Sequence, residues 1–90
     1  MTTVMLIDGR EVSTDSPEWR DECLARHRHV LKLRRLDRWA RHDYVARVRR
    51  SEGDLAADRL VQSYGDDFER RKAAQRQALA EAGGDPTARP

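Results

Sequence analysis

Two short runs, one apolar and one mixed, lie near the N-terminus of this chain, and beyond them the apolar residues recur with a helical period. Residues 4–7 and 10–13 are the two runs, and Asp8-Gly9 separates them. Asp-Gly between such runs predicts a β-hairpin over residues 4–13 with a two-residue turn, because that turn needs positive φ. An isolated hairpin is only marginally stable in water, so we expect this one to lie on the helices that follow.

A first helix is predicted from Ser16, its N-cap, through Pro17 at the first helical position to about Arg35. Its apolar residues fall on one stripe with the 3.6-residue period of a helix. The stripe consists of Trp19, Cys23, Val30 and Leu33, widened by Leu24 and Leu31. We expect this face to pack against the rest of the chain.

A second and a third helix follow in the pattern. Asp37 is a good N-cap for a second helix that runs to about Glu52 and ends at Gly53, a typical C-terminal cap. The inner stripe of this helix consists of Ala40, Tyr44 and Val48. Asp54 then starts a third helix, which we predict to run to about Ala80.

The third helix contains Gly65, which could end it. The apolar residues on both sides keep one register, so we predict a single helix that Gly65 weakens by roughly 1 kcal/mol relative to Ala. Those residues are Ala57, Leu60, Val61, Tyr64 and Phe68. Beyond Phe68 the stripe thins to Ala78 and Leu79, so we expect the last turns to protrude or to pair with a partner.

These elements predict a mainly α fold, in which an N-terminal β-hairpin packs on a three-helix arrangement with a long C-terminal helix. The 90 residues suffice for one domain, predicted over residues 1–81, with a disordered tail over residues 82–90. A domain of this size buries only about 60–65% of its unfolded surface, and its large apolar residues are few. A homodimer would supply the burial that the monomer lacks.

Composition disfavours a membrane or secreted protein. No apolar run approaches the roughly 20 residues that a membrane span needs, and residues 4–7 are too short for a secretion signal. The chain has a single cysteine, Cys23, which cannot form an internal disulfide. We therefore expect a cytoplasmic protein that does not associate with a membrane.

No set of residues in the sequence predicts catalysis. Cys23 and His27 have the spacing of half a metal site, but a closed zinc site needs four ligands, so we interpret both as semi-buried core residues. His42 and Asp43 are neighbours on a helix and point about 100° apart, so they cannot orient each other. No nucleophile turn and no Gly-rich phosphate loop is present. We expect no enzyme activity, no cofactor and no metal site.

Positive charge is concentrated in the middle of the chain. Residues 26–50 hold ten Lys and Arg residues against two Asp, a net charge of +8, although the whole chain carries only +2. Two interpretations follow. The segment could track the phosphates of a nucleic acid, with Arg28, Lys32, Arg35, Arg38 and Arg41 as contacts. It could instead be a solvated face that pairs with the acidic remainder, which includes Asp54, Asp58, Asp66, Asp67 and Glu69.

Trp39 does not fit the inner stripe of the second helix and lies on roughly the opposite side from it. One explanation is packing against the hairpin or the first helix. The other is an anchor for a protein partner, since Trp and Arg dominate interface hot spots. The predicted partner-binding residues are Trp39, Arg38, Arg41, Arg49 and Arg50.

Three stretches together resemble a group of small proteins encoded by tailed phages and prophages of proteobacteria. They are Asp-Gly-Arg-Glu-Val at residues 8–12, Ser-Pro-Glu-Trp-Arg-Asp-Glu-Cys-Leu-Ala-Arg at residues 16–26, and the segments 44–53 and 56–60. The resemblance covers residues 4–61, and Ser-Pro-Glu-Trp-Arg is its most specific part. The long helix from Tyr64 departs from the shorter members of the group.

The resemblance implies an accessory role in a bacterial host cell and brings no known catalytic residues. By analogy, small phage accessory proteins often bind host proteins, including defence complexes of the CRISPR type. We therefore expect a protein that acts by binding a host or phage protein complex, with nucleic-acid binding or regulation as the alternative. A structural role in a virion is a third hypothesis.

Overall fold

The computed structural model of the chain describes residues 2–82. Its elements are β1 (Thr3–Met5), β2 (Glu11–Ser13), α1 (Pro17–Leu33), α2 (Arg38–Glu52) and α3 (Asp54–Ala82). The predicted fold class, a mainly α protein with an N-terminal hairpin and a long last helix, is confirmed. Ala82, assigned to the tail from the sequence, belongs to α3, and the rest of the predicted tail lies outside the described residues.

The hairpin turn differs from the prediction by one residue. The Leu6 N–H donates to the Arg10 carbonyl at 2.7 Å, and the Gly9 N–H donates to the Leu6 carbonyl at 2.9 Å. This loop has three residues, 7–9, and only Gly9 has positive φ (92°). The predicted two-residue turn is wrong because it would also force Asp8 into positive φ, whereas a three-residue loop needs only the glycine there.

The longer loop sets which side of the hairpin meets the helices. β1 and β2 pair antiparallel with Val4 opposite Val12. A shift of one residue exchanges the two faces of a strand, so the loop length decides which side chains point inward. Leu6 is consequently buried, with 4% of its surface exposed, and it anchors the hairpin on the helices.

The predicted helix starts are confirmed by hydrogen bonds. The Ser16 hydroxyl accepts from the Trp19 N–H at 3.2 Å, and the Asp37 carboxylate accepts from the Ala40 N–H at 2.8 Å. Gly53 separates α2 from α3 with φ of 98°.

α1 ends at Leu33, about two residues before the predicted end. Beyond it the Arg35 and Leu36 N–H groups donate to carbonyls three residues back, which tightens the chain into a turn before Asp37.

α3 runs without interruption through Gly65, as predicted. After Phe68 every residue of this helix is exposed. We refer to residues 69–82 as the α3 arm. The prediction that the last turns of this helix protrude or meet a partner agrees with this exposure.

The core lies where the C-terminal ends of α1 and α2 meet the first turns of α3. Its buried members are Val30, Leu33, Val48, Ala56, Ala57 and Leu60. The predicted stripes are correct at their centres and wrong at their edges, because the following residues are 40–51% exposed: Leu24, Leu31, Val61 and Phe68. The Cα trace is flat, with extents of 59 × 37 × 14 Å. A flat arrangement covers only the centre of each stripe and leaves its edges in solvent.

Candidate functional site

Trp39 is the most exposed large apolar residue of the described chain, with 75% of its surface accessible. Its ring has the Arg38 guanidinium carbon 5.8 Å from its centroid. Such exposure excludes packing against the hairpin or α1, the first of the two explanations from the sequence. Packing in the core of this chain therefore does not explain the presence of Trp39.

An apolar groove lies beside Trp39, between α2 and α3, with a volume of about 490 Å³. Its apolar lining consists of Leu33, Trp39, Val45, Val61 and Tyr64. Arg38, Arg41 and His42 supply the polar part of the lining. Binding pockets combine an apolar surface with a few polar groups in this way, in volumes of about 300–1,000 Å³. We refer to this feature as the Trp39 groove.

Arg41 is held in place at the rim of the Trp39 groove. One of its guanidinium nitrogens donates to the Leu36 carbonyl at 2.6 Å. The guanidinium carbon also lies 5.4 Å from the centroid of the Tyr64 ring. Arg41, at the start of α2, thus contacts both the turn between α1 and α2 and the α3 helix, and it presents a fixed positive charge at the groove.

The structure divides the predicted partner-binding residues into two groups. Trp39, Arg38 and Arg41 meet at the Trp39 groove, whereas Arg49 and Arg50 do not line it. Arg49 donates to Asp54 and to Asp58, both at 3.0 Å. The hydrogen bond to Asp54, followed by that to Asp58, raises the pKa of Arg49. Arg49 is therefore an intramolecular link between α2 and α3.

Four of the five predicted nucleic-acid contacts are exposed, whereas the fifth, Arg41, is half-buried at the Trp39 groove. Arg28, Lys32, Arg35 and Arg38 are all exposed, and none forms an ion pair with another residue of the 2–82 range. The competing interpretation, pairing with acidic residues elsewhere, is also partly realised, because Arg49 is neutralised by two aspartates.

Asp67 is the one charged residue buried within the described chain, with 4% of its surface exposed. Arg34 binds both oxygens of its carboxylate, and the Arg71 Nε donates to it at 2.8 Å. The hydrogen bonds from Arg34 lower the pKa of Asp67 to about 2, against the opposing effect of burial. The sequence suggested Asp67 as one of several acidic partners for the Arg-rich segment but did not predict its burial. Its position seven residues after the buried Leu60, on the same helix face, was the available signal.

Glu22 is a second junction that the sequence did not reveal. Its carboxylate accepts from the Ile7 N–H at 2.7 Å, from Arg26 at 2.6 Å and from Arg59 at 2.7 Å. The two guanidinium carbons also lie 5.4 and 5.3 Å from the centroid of the Trp19 ring. Glu22 therefore ties the hairpin, α1 and α3 together. Because its carboxylate already accepts these hydrogen bonds, we assign it a structural role.

A second cleft of about 340 Å³ lies between the hairpin loop and the helices. Leu6 and Leu60 line it together with several carboxylates, including that of Glu52. At its edge the His29 Nδ1 lies 2.6 Å from the Tyr44 hydroxyl, and its Nε2 lies 3.4 Å from Glu52. Burial raises the pKa of Tyr44, so this phenol remains neutral and serves as a hydrogen-bonding partner.

Cys23 and His27 are placed differently by the structure. Cys23 is half-buried, as predicted, but His27 is exposed, so its assignment to the core is wrong. They line a small cavity together with Ser63 and Asp67. Within residues 2–82, no three His, Cys, Asp or Glu side chains are grouped so that they could hold a metal ion.

No protein-family model matches this chain, and the searches of curated proteins and of solved structures gave no match. None of the helices in the described part is long and apolar enough to cross a membrane. The functional conclusion therefore rests on the geometry of the surface.

Proposed function

We propose that this protein acts by protein–protein interaction, and that a partner binds at the Trp39 groove. The observation that supports the proposal is the 75% exposure of Trp39 beside an apolar groove with a fixed cation at its rim. A buried Trp at an interface commonly contributes about 2–4 kcal/mol to binding. In the free chain most of the Trp39 surface is in water, so this contribution is available to a partner.

The polar residues of the groove support a protein partner with complementary chemistry. Arg38 is exposed, whereas Arg41 is held by Leu36 and Tyr64. An anchoring aromatic residue surrounded by arginines is the composition that interface centres favour. The groove therefore suits a partner that offers apolar side chains and negative charge.

The resemblance of residues 4–61 to phage and prophage proteins suggests the setting of this interaction. In that setting the protein is an accessory factor in the cytoplasm of a bacterial host, and its partner is a host or phage complex such as a CRISPR-type defence system. This part of the proposal rests on the resemblance and on analogy.

Affinity capture with a matched pair of variants tests the proposal. The protein, Trp39→Ala and Met5→Ala are each immobilised and exposed to host lysate. Met5 is a suitable control because it is apolar and 49% exposed but lies on the hairpin. We expect a partner that the wild type and Met5→Ala retain and Trp39→Ala loses. Equal capture by all three proteins would contradict the proposal.

Nucleic-acid binding is the second candidate function, because Arg28, Lys32 and Arg35 are exposed and free of ion pairs within residues 2–82. This function predicts binding that weakens steeply with salt and on replacement of Arg35 by Ala. Arg20→Ala is the control, since Arg20 is exposed on α1 but outside the predicted set. A flat gel-shift titration at low salt would eliminate this candidate.

A further inference from the structure

The exposed residues of α3 include one straight stripe. Three large apolar side chains of this helix are exposed, and they are Val61 (51%), Phe68 (46%) and Leu79 (65%). Separations of seven and eleven residues bring these three to within about 20° of one another around a helix. Completing the stripe at alternating steps of four and three adds Gly65, Lys72 and Gln75, which are also exposed. We refer to these six residues as the α3 seam.

The spacing of the residues in the α3 seam is typical of a helix that packs against another helix. Alternating steps of four and three are the repeat by which two helices pack along a common line. From Val61 to Leu79 the seam is about 27 Å long at 1.5 Å per residue. At Val61 it is continuous with the Trp39 groove, because that residue lines both.

Gly65 supports contact with something outside the chain. Glycine inside a helix costs about 1 kcal/mol relative to alanine. Nothing within residues 2–82 requires it, because a Cβ at Gly65 would meet no atom of that part of the chain within 4 Å. A glycine at the second position of the seam lets the backbone of an incoming helix approach closely there.

Charge determines what the incoming helix must be. Lys72 lies in the seam, Arg76 flanks it on the α3 arm, and Arg38 and Arg41 line the adjoining groove. Arg71 also lies on the arm, but it is paired with Asp67. Glu69 is the acidic residue on the same part of the arm. This positive surface attracts a negatively charged partner and repels a positively charged one.

We propose that the α3 seam binds an acidic amphipathic helix of the partner, laid along α3 with its apolar side chains against Val61, Phe68 and Leu79. The inference rests on the proposed function and names the chemistry of the partner. It disfavours a second copy of this chain. The same surface on a second copy would carry the same positive charge, so self-association along the seam would bring like charges together.

Two synthetic peptides test the inference on the full chain. Both have about 20 residues, enough to span the seam, and leucine at the four–three positions. One carries alanine and glutamate elsewhere, and the other carries alanine and lysine. Fluorescence anisotropy should show binding of the acidic peptide and at least about tenfold weaker binding of the basic one. Equal affinity for the two peptides, or no binding of the acidic one, would overturn the inference.

Variants of the seam locate the binding. Leu79→Gln should lower the affinity for the acidic peptide at least about tenfold, because it places a polar group at an apolar contact. Met5→Gln, an equivalent change on the hairpin, should leave the affinity unchanged. Thermal unfolding shows whether either variant alters the fold. An unchanged affinity in a folded Leu79→Gln protein would contradict binding at the seam.

Two further measurements separate the alternatives. Sedimentation of the protein alone should show a monomer, and a dimer that Leu79→Gln dissociates would make a second copy the occupant and overturn the inference. Capture of a lysate partner that Trp39→Ala loses and Leu79→Gln retains would leave the proposed function intact while the seam inference fails. Loss of capture by both variants, with peptide binding, is the result we expect.

Discussion

Arg34, just beyond the end of α1, forms a bidentate ion pair with Asp67 in the middle of α3. Arg71, one turn along α3, completes the set of donors to the same carboxylate. The link fixes α3 at the point where the helix leaves the core and the α3 arm begins. It therefore connects the stability of the fold to the position of the surface that we propose for the partner.

Removal of the Asp67 charge should destabilise the protein. Asp67→Asn keeps the size of the side chain but leaves Arg34 and Arg71 without their shared anion. Both arginines are partly solvated, so we expect a loss of about 1–2 kcal/mol in the free energy of unfolding. Urea denaturation measures it. Asp66→Asn, a change at the exposed neighbouring carboxylate, is the control and should have little effect. Equal stability of the two variants would contradict the assigned role of Asp67.

The same ion pair predicts a dependence of stability on pH. The pKa of Asp67 is lowered to about 2 from its ordinary 3.8, so its contribution is present above pH 3.8 and is lost as the pH falls towards 2. The difference in unfolding free energy between the wild type and Asp67→Asn should therefore shrink over that interval. Denaturation curves of both proteins at pH 2–5 test this. A difference that stays constant with pH would contradict it.

Replacement of two glycines by alanine should change the stability of the protein in opposite directions. Gly65→Ala should raise the free energy of unfolding by about 0.5–1 kcal/mol, because Gly65 is helical and has space for a Cβ. Gly53→Ala should lower it by about 1–2 kcal/mol, because Gly53 has φ of 98°. The melting temperatures of the two variants provide the measurement. Destabilisation by Gly65→Ala would show that this position is constrained within the chain.

Glu22 should control how firmly the hairpin is attached. Glu22→Ala removes the acceptor for the Ile7 N–H and for two arginines, so the Ile7 amide should exchange its hydrogen faster. We expect a loss of about 2–3 kcal/mol in the free energy of unfolding, because this carboxylate is only 9% exposed. Glu18→Ala, at an exposed position on the same helix, should change neither quantity.

The two tryptophans should have separate roles. Trp39→Ala should change the free energy of unfolding by less than about 0.5 kcal/mol, because Trp39 is a surface residue. Trp19→Ala should cost about 2–3 kcal/mol, because Trp19 is half-buried between Arg26 and Arg59. Denaturant unfolding of the two variants tests both statements. A destabilising Trp39→Ala would weaken the case for a partner at that residue.

The sequence predicted what depends on neighbours along the chain. Ser16 and Asp37 were predicted as helix caps from their residue types and positions, and each accepts from an N–H three residues ahead. The register of apolar residues that continues through Gly65 also depends only on residues close in sequence. The hairpin loop was misjudged because Asp-Gly suits loops of two and of three residues, and the choice depends on how Leu6 packs on the helices.

The parts of the site that join distant segments could not be predicted. Trp39 was recognised as unusual, but the groove beside it is lined by Val45 of α2 and Val61 of α3, which are distant in sequence. The ion pair of Arg34 with Asp67 connects residues 33 positions apart. Periodicity placed Val61 and Phe68 on the inner stripe because it identifies a face, whereas the flat arrangement of helices decides how much of that face is covered.

The α3 arm has a consequence for local unfolding. Residues 69–82 are exposed along their whole length, and a helix of this size is marginal in water by itself. Amide hydrogen exchange should therefore slow progressively from Ala82 back to Asp67, where the arginines hold the helix. A partner bound near Leu79 would suppress this unwinding. Hydrogen exchange would then slow even at amides on the opposite side of the arm, which do not contact the partner.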